Sequence, residues 1–408
     1  MKKIVLGFAA LSALIFTSCS NDDDVKPPKV DGPVVITAPA TYAFERNGNS
    51  NVSFGGQTTR IKMAKELGSA LKDNSLTEMQ LDGMFAHEEG NADFEDADLN
   101  ASGKSIRSKV AASIDYFSAN TTDAMAIKKY FDDLINLQVS EVFPNWDMTA
   151  SAGVAGGLDQ LDGKTRYINA KGLEYDQAVT KGLIGALMMD QFLNNYMSTA
   201  VLDAGDNRAN NDNDVLEEGK DYTLMEHKWD EGYGYLYGNE ADPAVPSDDS
   251  ADDFLNKYVK RAADNGFPDL PNEVYTALKL GRAAIVGKDY ALRDEQIVII
   301  KEKISMAIAL RAVNYLQAGK ADLFPTTVDQ AHGFYRLSEA IGFIYSLQFT
   351  RKPDSNAPYF TKVEVEGFID QLLPEQGNGF WDIAPATLDQ ISDTIAAKFE
   401  FTVAQAAM

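Results

Sequence analysis

The sequence predicts a mainly α fold, a compact multi-helix bundle in one unit or in two packed lobes. Apolar residues recur at helical spacing from Gln57 almost to the C-terminus, and no strand-rich block of comparable length interrupts them. With 45% hydrophobic residues in 408, the chain can fill a large core.

The elements follow in chain order. Tyr42 to Glu45 and Asn49 to Phe54 place turn formers between aromatics and valines, which reads as one hairpin or an irregular loop at the start of the folded part. From Gln57 the period becomes helical, with Ile61, Ala64, Leu67 and Leu71 on one face. Further helices are predicted over 124–137, 175–197 and 289–318, the last closed by Gly319 at its C-cap. Others run from Thr326 to about Gln348, over 363–373 and over 386–399. The stretch from Gly182 to Met189 is apolar all round, with Gly182 and Gly185 spaced for close approach of a neighbouring helix. Polar residues inside such helices, Asp190, Gln191, Arg311 and Asn314, need partners if buried. Asp203 to Asp214 is a polar loop lacking the glycine and distal glutamate of a calcium loop. Residues 242–252 mark a candidate boundary between lobes.

Composition narrows the function. Lysine and arginine number 37 against 61 aspartate and glutamate, a formal charge of −24, which disfavours nucleic acid as a partner. One cysteine excludes an intramolecular disulfide and a cysteine-rich zinc site, and a three-histidine metal centre would have to use all of His87, His227 and His332. The nucleophile elbow G-x-S-x-G and the glycine-rich nucleotide fingerprints are absent.

The first residues carry an address. Lys2 and Lys3, an apolar run from Ile4 to Phe16 and then small residues read as a secretory signal, with residues 1–18 removed. Phe16-Thr17-Ser18-Cys19 resembles the lipobox of bacterial lipoproteins, which implies acylation of Cys19 and attachment to a membrane through lipid. Asp22 to Asp24 resemble a surface-export signal, so the expected location is the outer membrane, facing outward, on an acidic and proline-rich tether over 19–35. Residues 36–408 form the helical domain.

Two constellations could carry chemistry. In the first, Glu226, His227, Asp230 and Glu231 lie within two helical turns, His227 and Glu231 one turn apart. Two carboxylates with an imidazole suit zinc or iron, and phenolates from Tyr233 or Tyr235 would favour ferric iron. The alternative is a helix-end polar network around a buried Trp229. In the second, His332, Arg336 and Glu339 share one helix stripe. The two are expected to face one pocket, its carboxylates neutralised by a metal or by Arg311 and Arg336. His87, beside two glutamates, reads as a surface residue.

Several segments together resemble the family of bacterial lipoproteins named domain of unknown function 4856. They are Gly219 to Tyr235 (GKDYTLMEHKWDEGYGY), Gly56 to Arg60 (GQTTR), Gly172 to Gln177 (GLEYDQ), Lys181-Gly182, and His332 with Leu337-Ser338-Glu339. Lys228 stands where that pattern usually has a second histidine. More distantly, the chain is similar in habit to imelysin-like helical lipoproteins, which implies iron-linked binding. It lacks their G-x-H-x-x-E motif, which leaves peptidase activity weakly supported. The expected role is a surface binding protein for iron, another metal or a metal complex. An accessory subunit of another outer-membrane uptake protein is the alternative, and a metal-dependent hydrolase a third reading.

Overall fold

The structure is a computed structural model, described over residues 35–246, 253–353 and 355–408. The signal segment, Cys19, nearly all of the tether and residues 247–252 of the candidate boundary lie outside the described residues. Residues Ile36–Met408 form one compact unit. It is mainly α: the described residues hold fifteen α-helices and only two small two-stranded sheets. Ten helices of nine residues or more are numbered here. They are α1 (Gly55–Ala70), α2 (Glu78–Ala86), α3 (Thr121–Leu137), α4 (Tyr175–Leu183), α5 (Leu224–Tyr237), α6 (Leu270–Val286), α7 (Tyr290–Leu323), α8 (Gln330–Ser346), α9 (Lys362–Leu372) and α10 (Pro385–Ala396). Among the described residues no helix is long and apolar enough to cross a membrane.

The 34-residue α7 is the axis, packed on α6, α8 and α10. Its Asp289 cap accepts from the Leu292 amide at 3.0 Å, satisfying one of the amides a helix start leaves free. α7 continues past the expected stop at Gly319. That glycine is a contact point: a β-carbon there would lie 2.7 Å from Leu337, and one on Gly333 would lie 3.4 Å from the Gly319 carbonyl. The bare backbone lets α7 and α8 cross closely, so burial overrides the stop signal. α8 begins at Gln330 rather than Thr326, where Asp329 caps the His332 amide at 3.0 Å.

The predicted 175–197 helix is broken into α4 and two π-helical turns, Ile184–Met189 and Phe192–Tyr196. Here the expectation of close approach holds: a β-carbon on Gly185 would meet Ser346 at 2.5 Å, and the Ser346 hydroxyl accepts from the Gly185 amide at 3.1 Å. The wider π turns keep Asp190 turned inward. It accepts from the Ala112 and Ser113 amides at 2.9 Å and from the Ser113 hydroxyl at 2.7 Å.

The N-terminal hairpin pairs Glu45–Arg46 (β1) with Asn49–Ser50 (β2). Its turn is Asn47-Gly48, both with positive φ (55° and 78°), the geometry of a tight two-residue turn. A second hairpin, Gly156–Asp159 (β3) with Thr165–Ile168 (β4), and the whole of α6 were not expected. The N-terminal hairpin reaches α5 through Arg46, which donates to Glu226, and α6 packs against the same helix.

Candidate functional site

The first constellation sits on α5. Thr223 caps this helix in a reciprocal box: its hydroxyl accepts from the Glu226 amide at 3.3 Å, and Glu226 accepts from the Thr223 amide at 2.7 Å. Three glycines then set α5 against its neighbours. A β-carbon on Gly234 would lie 2.4 Å from Phe54, and one on Gly232 would lie 2.4 Å from Met197. At Gly238, just past the helix, the carbonyl accepts from Thr58 at 2.7 Å. The start of α1 is thereby held against the flank of α5.

The inward face of α5 is sealed. Glu226 and Asp230 are 0% exposed and are spent on arginines. Arg46 from the hairpin donates to both Glu226 oxygens at 2.7 and 2.9 Å. Arg282 of α6 donates to Glu226 at 3.1 Å and to Asp230 at 3.0 Å, and the Tyr42 hydroxyl donates to Asp230 at 2.7 Å. Burial pushes the Asp230 carboxyl up to about 6 against the pull of Arg282 and Tyr42. At Glu226 burial also works upward, but the Arg46 hydrogen bond and the Arg282 charge outweigh it and hold the group below its ordinary range. Trp229 is buried on Gly281, where a β-carbon would lie 2.2 Å from the indole, and donates to the Leu278 carbonyl at 3.0 Å. Tyr233 stacks on Tyr42 at 3.5 Å between ring centres, and Tyr235 lies beside Tyr196 at 6.1 Å.

The residues that follow Glu226 and Asp230, His227 and Glu231, lie together on the adjacent flank and open onto a cavity of about 250 Å³. They approach at 4.0 Å. Glu231 accepts from Lys228 at 2.7 Å, from Gln57 at 3.1 Å and from the Tyr196 hydroxyl at 3.2 Å. Burial raises its carboxyl, yet Lys228 prevails through charge and hydrogen bond and keeps it below the usual range. The His227 ring stacks on Tyr222 at 4.7 Å, and burial pulls its pKa down.

The far wall was not foreseen. It consists of Arg60 and the Gly55-Gly56 start of α1, with Lys104 and Lys109 from the segment that follows Gly103. That segment is pinned: Arg60 donates to the Ser105 carbonyl at 3.1 Å, and Gln191 donates to the Lys109 carbonyl at 3.0 Å. A signal was present in the sequence. Gly-Gly-Gln opens a helix with no capping side chain and no acid in its first turn, in an otherwise acidic chain.

The structure separates the second constellation from the first. His332 does not line the cavity; its Nδ1 pairs with Asp322 at 3.0 Å, at the end of α7, and Arg336 leans on the same carboxylate at 3.8 Å. Glu339, 2% exposed, faces Lys181 of α4 at 3.7 Å. Arg311 donates to the Arg261 carbonyl at 3.3 Å, and burial pulls its guanidinium down to about 10. His87, expected at the surface, is buried and pairs with Asp93 at 2.6 Å.

The expectation of one inward pocket holding Glu226, His227, Asp230, Glu231, His332 and Glu339 is therefore corrected. On a helix of 3.6 residues per turn, Glu226 and Asp230 share one face while His227 and Glu231 are turned about 100° away. The first pair is already neutralised by arginine, and His332 and Glu339 have partners of their own. Among the described residues no group of three or more histidine, cysteine, aspartate or glutamate side chains is placed to hold a metal ion.

No curated protein and no solved structure matches the chain. A family pattern does match, over residues 39–402, and it takes in the hairpin, the cavity, α5 and the α7–α8 pair alike. By that match the chain belongs to the family described as Domain of unknown function (DUF4856).

Proposed function

We propose that the protein is a non-enzymatic binding protein, held at the outer membrane through lipid on Cys19 and facing outward, that captures a small polar ligand in the cavity between α1 and α5. The observation that carries this reading is how the cavity is walled. Side chains from α1, from the Lys104–Lys109 segment, from the second π turn and from α5 converge on one opening of about 250 Å³. That is slightly under the ~300–1,000 Å³ of sites for drug-sized ligands, so it suits a small molecule or one polar group of a larger one. Glu231 is held ionised by Lys228, Gln57 and Tyr196, which makes it a poor proton acceptor and favours binding over hydrolysis.

The test uses the soluble chain beginning at Cys19→Ser, screened by thermal shift against small polar metabolites. A β-carbon at Gly55 meets nothing within 4 Å, so Gly55→Trp adds a bulky side chain to the cavity wall without a clash at its β-carbon. At least one metabolite is expected to raise the wild-type Tm and leave Gly55→Trp unchanged, with about 2.7 kcal/mol of stabilisation at a hundred times its Kd. Equal responses, or none, would remove the cavity as the site. Anchoring is tested separately: full-length Cys19→Ser should leave the membrane fraction, and its retention there would end the lipid assignment.

A further inference from the structure

We infer that the group captured in this cavity is an oxyanion, gripped by Arg60, Lys104 and Lys109 at the open start of α1. The inference rests on the reading of the cavity as a binding site and adds the chemistry of what enters it.

Charge is the first argument. The whole chain carries −24, yet three cationic side chains line one small opening, and among the described residues none of them forms an ion pair with a carboxylate. Glu231 is the carboxylate in the cavity wall, and Lys228 and two neutral donors already engage it. Lys109 registers the imbalance. Burial and the neighbouring charges of Arg60, Lys228 and Lys104 lower its pKa, and only Glu231 opposes them.

Arg60 is the second and independent argument. It is 7% exposed, and its Nε and Nη1 donate to the Ser105 and Gly56 carbonyls at 3.1 Å each. Carbonyls satisfy hydrogen bonds without cancelling the charge, and a buried charge lacking a counter-charge is costly. The carbonyl pair also fixes the guanidinium plane at the cavity wall, leaving an arginine prepared for a planar or tetrahedral anion.

Backbone supplies the rest. α1 begins at Gly55 after Phe54, with no side-chain cap and no acidic residue in its first turn. The Gln57 and Thr58 amides reach the Phe54 carbonyl, which leaves the Gly55 and Gly56 amides, at the positive end of the helix dipole, in the cavity wall. Without β-carbons, Gly55 and Gly56 leave the backbone open to a ligand, and Lys104 lies across Gly56, its Cε 3.1 Å from where a β-carbon would be. Phosphate, sulfate and carboxylate share the chemistry these donors recognise, and the size of the opening suits such a group with a short polar extension.

The experiment is calorimetric titration of the soluble chain at constant ionic strength, with inorganic phosphate, sulfate, acetate, and chloride as control. A neutral hexose and ethanolamine are added as uncharged and cationic probes. One oxyanion is expected to bind, with phosphate and sulfate ahead of acetate for a phosphoryl or sulfuryl ligand, and the reverse order for a carboxylate. Lys104→Gln with Lys109→Gln, both at the surface or half-buried, should weaken that binding at least tenfold while the fold persists by circular dichroism. Arg60→Gln should abolish it. If the hexose or ethanolamine binds wild type and not Gly55→Trp while every oxyanion behaves like chloride, the oxyanion assignment falls and the cavity stands. If no probe separates wild type from Gly55→Trp, both fall.

Discussion

Two faces of α5 use the same residue types to opposite ends. Inward, the carboxylates of Glu226 and Asp230, both fully buried, meet Arg46 and Arg282 with these partners within 3.1 Å. Outward, His227 and Glu231 meet Arg60, Lys104 and Lys109 across open space. The inner group is electrically closed and holds the hairpin, α5 and α6 together. The outer group carries surplus positive charge: among the described residues Arg60, Lys104 and Lys109 form no ion pair with a carboxylate. A shift of one residue along a helix, about 100° of rotation, divides scaffold from site.

Breaking the inner face gives the largest effect. Arg282→Met leaves two buried carboxylates short of a partner, and such a loss costs about 3–5 kcal/mol. Urea unfolding should show it as a lower midpoint. A change within the range of surface substitutions, about 0.5 kcal/mol, would mean that the inner network is not structural. Acid sharpens the same point. The folded-state pKa of Glu226 is depressed, so its contribution is present above the ordinary glutamate range and lost as pH falls through the folded value. Arg46→Gln should shrink that acid-side loss.

The next effect belongs to the helix crossings. Gly185→Ala forces a β-carbon to 2.5 Å from Ser346, on both its side chain and its backbone, which must move apart. Overpacking of this kind costs about 1–3 kcal/mol, measurable in the same titration. A neutral Gly185→Ala would show that the π turn after α4 absorbs the extra carbon.

How much of this was legible in the sequence follows from range. The α fold, the Gly182–Gly185 approach and the burial of Trp229 are local or periodic properties, and each is found. So is the pairing of His227 with Glu231, one helical turn apart, although their shared metal role is not supported. The cationic wall was not legible, because Arg60 and Lys109 reach α5 only through tertiary packing. The same holds for Arg46 and Arg282: nothing near Glu226 in sequence announces that residues 180 and 56 positions away will neutralise it. Glycine at 319 misled for the related reason that one residue type serves both stops and crossings.

Removing the outer cations should cost little in the empty protein. Lys104→Gln with Lys109→Gln relieves repulsion around Arg60, so the ligand-free Tm should stay level or rise by a degree or two. A substantial fall would show that those lysines have structural partners and that the outer face is closed like the inner one.

The smallest effect comes from His227. Burial lowers its pKa below the ordinary histidine value, so the ring is neutral at pH 7 and gains a proton only as the solution becomes clearly acidic. In the empty protein the folded state then binds fewer protons than the unfolded chain, and this group's contribution falls as pH drops. An oxyanion in the cavity opposes that trend, because a protonated ring adds a fourth positive charge beside it. Glu231, depressed by Lys228, stays ionised through the change. Sulfate keeps its charge from pH 5 to 8 and is the suitable probe. Its affinity should rise several-fold as pH falls, and its Tm shift should grow with it. His227→Gln removes the ring's share and should flatten that slope. If wild type and His227→Gln show the same pH slope, the histidine stands outside the electrostatics of the cavity, and the comparison between the two faces of α5 reduces to lysine and arginine alone.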